Sequence, residues 1–101
     1  MKTQACIPML KALADETRWR IVRELLSGPL TVSQITDRLG ASQYNVSKHL
    51  RILQHAGIVR KRRIGKLVEC EVTPAFQQRI AKNKKQLDLG CCTFRFDQLP
   101  G

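Results

Sequence analysis

Three groups of side chains in this sequence have the types and spacing to do chemistry. The first is the adjacent pair Cys91-Cys92, set just after Gly90 in a polar segment. Neighbouring Cα atoms are about 3.8 Å apart, so two flexible side chains outside a helix can turn both sulfurs toward one soft ion. Thiolates select thiophilic centres over hard, oxygen-loving ones. The second group is the polar string Ser42, Gln43, Tyr44, Asn45, Ser47, Lys48 and Arg51, interleaved with Val46, Leu50 and Leu53. Its amides suit adenine edges, its cations suit guanine or phosphate, and its hydroxyls suit phosphate or a thymine methyl. The third is the basic cluster Arg60, Lys61, Arg62, Arg63 and Lys66, which suits a line of phosphates. Each group also has a plainer reading. Cysteines serve as small hydrophobes, short helix pairs joined at glycine are common, and a basic hairpin protects its edges against aggregation.

The balance of charge favours the chemical readings. A formal net charge of +10 on 101 residues, with a second basic cluster at Lys82, Lys84 and Lys85, leaves a polyanion as the expected partner. A membrane is not expected, since no apolar run approaches the roughly 20 residues of a spanning helix. The start of the chain, Met1-Lys2-Thr3-Gln4, is not followed by the apolar stretch of a secretory signal, so the expected location is the cytoplasm. In that compartment the four cysteines read as thiols rather than as a disulfide framework. A thiol enzyme is not expected either. Its thiolate would need a nearby base or a helix amino terminus, whereas the doublet follows a helix carboxyl end and the chain has only two histidines.

The elements that must position these groups follow from period and caps. Pro8 suits a first helical position, with Met9, Leu10 and Leu13 on one side of a short helix to about Ala14. Asp15 caps a second helix carrying Ile21, Val22, Leu25 and Leu26, which Ser27-Gly28-Pro29 ends. Thr31 caps a third, two-turn helix with Val32, Ile35 and Leu39 on one face, closed by Gly40. Ser42 opens the fourth, which turns Val46, Leu50 and Leu53 inward and the polar string largely outward, and Gly57 stops it. A period of two then marks a hairpin, Ile58 to Ile64 and Leu67 to Val72, joined at Gly65-Lys66. Cys70 shares a strand face with Val68 and Val72 and reads as core. Thr73-Pro74 opens a final helix with Phe76, Ile80 and Leu87 on its apolar side, and the residues after Gly90 form a tail of unassigned structure. The expected fold is mainly α with a small β-hairpin, a winged helix-turn-helix of order α-α-α-α-β-β-α. Residues 1–90 form the DNA-binding and dimerisation domain and residues 91–101 a tail with the cysteine pair. A domain of this size gains apolar burial by dimerising. The fourth helix would enter a major groove and the hairpin would lie on phosphates beside it.

Leu13-Ala14-Asp15-Glu16-Thr17-Arg18 with Ile21, then Ser42-Gln43-Tyr44-Asn45-Val46-Ser47-Lys48-His49-Leu50, then Leu53 through Ala56-Gly57-Ile58-Val59, resemble the ArsR/SmtB family of metal-responsive winged-helix repressors. The resemblance covers about Pro8 to Leu87. It implies a homodimer paired through its first and last helices, seated on a roughly two-fold operator in double-stranded DNA and leaving it when an inducer binds. It places His49 on the DNA-reading helix, where packing or phosphate contact is its expected role. His55 lies near that helix's negative end. The DNA-binding residues expected are Ser42, Gln43, Tyr44, Asn45, Ser47, Lys48, Arg51, Arg60, Arg62, Arg63 and Lys66.

The inducer site differs among members of that family. Here the third helix lacks a Cys-x-Cys pair, and Pro74 to Gln86 holds neither Asp nor His, so two of the family's sites are absent. Cys91 and Cys92 remain. Trivalent arsenic or antimony suits them as an inducer, because each accepts two or three thiolates, whereas zinc wants four N/S donors and no histidine is near. The family's dimer brings the region of Cys6 toward the last helix, which makes Cys6 a plausible third ligand. A redox or reactive-sulfur signal at the same thiols is the alternative. It is weakened by the strain of a ring closed between adjacent cysteines.

Overall fold

The computed structural model describes residues 3–80 and 86–95, with side chains described from Cys6 onward. Three local caps set the first half of the fold. Asp15 accepts from the Arg18 backbone N–H at 3.0 Å and starts α2, Glu16–Leu25. Thr31 and Gln34 cap each other reciprocally at 3.2 and 2.9 Å and start α3, Val32–Leu39. Ser42 accepts from the Asn45 N–H at 3.1 Å and starts α4, Gln43–His55. Each cap satisfies one of the donors that a helix start leaves unpaired, a contribution of about 0.5–2 kcal/mol. Gly40 ends α3 at φ 68°, a left-handed conformation that a side chain disfavours, and its turn swings α4 across α3. Ile21, Val22, Leu25, Ile35, Val46, Leu50 and Leu53 all bury at this three-helix junction.

The hairpin forms as its period predicts. Strands β2, Val59–Ile64, and β3, Leu67–Val72, pair antiparallel from Val59↔Val72 to Ile64↔Leu67. Cys70 and Val72 bury, as does Val59, but every later residue of β2 is exposed, so the hairpin projects from the body as a wing. A short strand not anticipated from sequence, β1 at Leu30–Thr31, holds its base through Leu30↔Cys70 and Thr31↔Glu69. The sheet order is β1-β3-β2. The expected winged helix-turn-helix is the observed fold.

Both ends depart from expectation. Pro8 does not begin the first helix. It lies inside α1, Thr3–Leu13, which starts further upstream. The ring removes one N–H from the helix ladder, but the additional turn carries Cys6 into the core, where it is fully buried. The last helix is also shorter than expected. Thr73 caps a single turn, α5, Pro74–Gln77, and the chain then returns on itself. Ile80 bridges Leu87, the Asp88 N–H donates to the Arg79 carbonyl at 2.8 Å, and β4, Gln86–Asp88, pairs with β5, Thr93–Arg95. Phe76 and Leu87 are buried as expected, but β4 positions Leu87 and no helix does. Leu87 and Leu89 bury while Asp88 points out, the period of a strand. The Asp88 side chain accepts from the Gly90 N–H at 2.8 Å, which shapes the turn into β5. Residues after Gly90, expected as a tail, therefore include a paired strand. Lys82, Lys84 and Lys85 lie outside the described residues.

Candidate nucleic-acid interface and thiol cluster

On α4 the apolar and polar residues separate cleanly. Val46, Leu50 and Leu53 are fully buried, at spacings of one and two turns. Tyr44, Ser47, Lys48 and Arg51 follow the same spacing on the other side. Gln43, Tyr44, Asn45, Lys48 and Arg51 are exposed, Tyr44 by 78% for all its size, and Ser47 is half-buried. Ser42 is exposed too, with its oxygen committed to the cap. A helix with this face free and a wing beside it has the shape of a groove reader.

The wing's cations are not equally free. Register places Arg60 opposite Glu71, and the Glu71 carboxylate accepts from Arg60 Nε at 2.7 Å and pairs with Arg62 Nη1 at 3.4 Å. The hydrogen bond from Arg60, with the charges of both arginines, holds the Glu71 carboxyl below its usual range against the opposing effect of burial. Arg63 and Lys66 are exposed at the tip. Sequence reasoning did not identify Glu71 as a counter-charge, although the tight turn at Gly65-Lys66 fixes that pairing.

A second residue missed from sequence is Arg18. Its Nε donates to the Ala12 carbonyl at 2.6 Å and its Nη2 to the Lys11 carbonyl at 3.5 Å, both at the end of α1. Its Nη1 lies 3.1 Å from His49 Nδ1 on α4 and 3.9 Å from the Asp15 carboxylate. Arginine only donates, so Nδ1 is the acceptor in this contact, which ties α4 to α2. Burial pushes the Asp15 carboxyl up, but the Arg18 N–H and guanidinium outweigh it and hold the group below its usual value.

Cys6 of α1 meets Cys91 and Cys92 of the loop between β4 and β5. The three sulfurs lie within 4.8 Å of one another, with Cys6 buried, Cys92 half-buried and Cys91 exposed. Cys6 and Cys91 are joined as a disulfide, and the Cys91 and Cys92 sulfurs are 3.6 Å apart. The expectation that all four cysteines are thiols is corrected here. The β4–β5 return brings Cys91 to within 6.4 Å of Cys6 between Cα atoms, a pairing across a sequence separation of 85. Cys70 and Cys92 are free, and burial pushes the Cys70 thiol up, with Lys61 opposing. Once reduced, the cluster offers three soft donors that could hold a thiophilic metal ion.

Residues 15–61 match the bacterial regulatory protein, arsR family. The fold matches that of an ArsR-like transcriptional regulator from Rhodococcus sp. RHA1, with a TM-score of 0.67 and 32% identity over 71% of this chain and 68% of that one. This chain belongs to the arsR family. It also matches HlyU from Vibrio cholerae N16961, a transcriptional activator by name, with a TM-score of 0.67 and 32% identity over 72% of this chain and 82% of that one. The arsenical resistance operon repressor of Escherichia coli K12 is 39% identical over 69 residues, which are 67% of this chain and 59% of that repressor. The arsR-family chain thus spans between about half and three fifths of the length of the curated relatives it matches. Among the described residues, no helix is long and apolar enough to cross a membrane.

Proposed function

We propose that this chain is a transcriptional repressor that binds a two-fold DNA operator as a homodimer and is released by trivalent arsenic or antimony held at Cys6, Cys91 and Cys92. One observation carries the reading. A capped helix buries Val46, Leu50 and Leu53 in the core while presenting Gln43, Asn45, Lys48 and Arg51 to solvent beside a basic wing. The amides supply base contacts, and Arg60, Arg62, Arg63 and Lys66 supply phosphate contacts. The name of the Escherichia coli relative supports an arsenical signal, and the three clustered sulfurs supply a donor set for it. Coupling of about 1–3 kcal/mol between the thiol and DNA sites lowers operator affinity roughly 5–150-fold.

The test begins with selection of a target from random duplex DNA. Alanine at Gln43, Asn45 and Lys48, with folding checked by circular dichroism, should cost about 1–3 kcal/mol of discrimination per lost base contact. Unchanged target selection would overturn the reading. Release is then measured for the reduced protein with arsenite, antimonite, methylarsenite, cadmium, zinc and peroxide. Alanine at Cys91 and Cys92 should abolish release by arsenite.

The disulfide favours a second reading, a redox-sensing repressor of the same fold. Peroxide would take two electrons from the Cys6 and Cys91 thiols, giving the disulfide and two waters. The strain that counts against a ring between adjacent cysteines does not apply to Cys6 and Cys91. Release by peroxide but not by arsenite would select this reading.

A further inference from the structure

We propose that the apolar pair at the tip of the wing, Ile64 and Leu67, is a wedge that enters the minor groove of the operator, parts a base step there and bends the duplex. The proposal rests on the operator-binding reading above and adds to its phosphate contacts a contact of another kind. Ile64 is 52% exposed and Leu67 59%. Neither belongs to the hydrophobic core, and neither packs against it. They are Cα partners on either side of the two-residue turn Gly65-Lys66, which Gly65 closes tightly at φ 63°. Their side chains therefore stand together on one face of the wing.

Charge selects the partner. From Arg63 to Val68 the tip holds two cations and no acid. The wing's two carboxylates lie further back, Glu69 opposite Arg62 and Glu71 opposite Arg60. Two such tips repel each other, whereas a polyanion attracts both. The minor groove of duplex DNA offers what an apolar tip with cationic flanks needs. Phosphates along its rims suit Arg63 and Lys66, and the base steps between them can be parted by isoleucine or leucine side chains.

The reach of the wing fits this placement. Strand β2 starts at Val59, soon after α4 ends at His55. From Val59, buried at the base, the extended chain travels about 17 Å to Ile64. Half a helical turn of DNA, the offset between adjacent major and minor grooves, is also about 17 Å. With α4 in one groove, the wing is long enough to cross the intervening backbone and set its tip in the next. By the period of two, Arg60 and Arg62 share the face of Ile64 and Leu67. That face presents cations where the backbone is crossed and apolar groups beyond it.

An exposed cross-strand pair also steadies a hairpin, and the experiment separates that role from a wedge. The duplex selected from random DNA carries a donor and an acceptor dye at its two ends. Energy transfer reads the bend made by the reduced full chain, and anisotropy reads affinity. The parent is expected to bend the duplex by at least about 20°. Ile64→Thr with Leu67→Thr keeps residues that strands favour and removes the apolar bulk. This pair should lose the bend and roughly tenfold in affinity. Its slope of log K against log salt should be unchanged, because no charge is removed. Ile64→Met with Leu67→Met keeps the bulk and should keep both bend and affinity. A flexible pyrimidine-purine step under the tip, in place of a stiff A-tract, should favour the parent and the methionine pair but not the threonine pair. A straight duplex under the parent, or a bend that survives the threonine pair, would overturn the proposal. So would a threonine pair that only lowers the melting temperature, which would assign the two side chains to the hairpin, or one that only changes the oligomeric state, which would assign them to a contact between copies. If the parent selects no target from random DNA, the operator-binding reading itself falls and the wedge falls with it, whereas a target that is selected but straight leaves that reading standing.

Discussion

Glu71→Gln is expected to strengthen DNA binding at low salt and to make that binding more sensitive to salt. The Glu71 carboxylate holds Arg60 at 2.6 Å and Arg62 at 3.4 Å, and its side chain is 16% exposed against 47% and 56% for the two arginines. One anion therefore engages two of the cations that the wing would offer to phosphate. Glutamine keeps a carbonyl acceptor in place and removes the charge. Each arginine transferred to a phosphate steepens the slope of log K against log salt by about 0.9. Over a fourfold rise from about 50 to about 200 mM salt, that is an additional loss of about 3.5-fold for one arginine and about 12-fold for two. Fluorescence anisotropy with the selected operator across this range measures both slope and affinity. Arg63→Ala, at an exposed wing position outside the Glu71 pairing, provides the calibration and should flatten the slope by about 0.9. An unchanged slope with weaker binding would refute the reasoning, because it would mean that Glu71 aims the arginines at DNA rather than withholding them.

Arg18→Ala removes a guanidinium that is 15% exposed and donates to two carbonyls and His49. It should cost about 1.5–3 kcal/mol in urea unfolding, and a loss under about 0.5 kcal/mol would show that this residue does not tie α1 to α4. The Asp15 carboxyl is held below its ordinary value of 3.8. Its contribution to stability is therefore complete above that value and is lost as pH falls through the lower folded value. Asp15→Asn should flatten the acid limb of a melting-temperature profile, and an unaltered limb would contradict this. In the oxidised protein, alkylation should reach half-buried Cys92 well before Cys70, whose burial raises its thiol, and peptide mass spectrometry reads the order.

What could be read from sequence was mostly what local interactions decide. Asp15, Thr31 and Ser42 each cap a donor three residues ahead, so their helices start where the side chains say they do. The α4 faces follow from period alone, and the wing's register from its tight turn. The missed features depend on residues far apart in the chain. His49 Nδ1 meets Arg18 across a separation of 31, and Cys6 meets Cys91 across 85. The long final helix failed for a different reason. Phe76, Ile80 and Leu87 satisfy a helical spacing, but Leu87-Asp88-Leu89-Gly90 also satisfies a strand and a side-chain-capped turn. The apolar positions were right for either geometry, and the return of the chain onto Ile80 decided between them. A helix continued past Gln77 would have had no such pairing, and the doublet would not have been brought back to α1 through β4 and β5.

That return makes the two proposed signals compete for the same atoms. In the disulfide, Cys6 and Cys91 have no thiolate to give, and Cys92 alone is too few donors for an ion that takes two or three. Oxidation would therefore close the proposed metalloid site by removing ligands, and a bound metalloid would block the oxidation by occupying both sulfurs. Which signal the chain answers is then set by the reduction potential of one pair against that of its surroundings, where about 30 mV shifts the populations tenfold. Reducing surroundings would leave the donor set open, and oxidant would have to overcome that poise before it could be sensed. On the two proposed readings the same three cysteines serve mutually exclusive inputs, and the half-buried Cys92 is the one of the three that the disulfide leaves free.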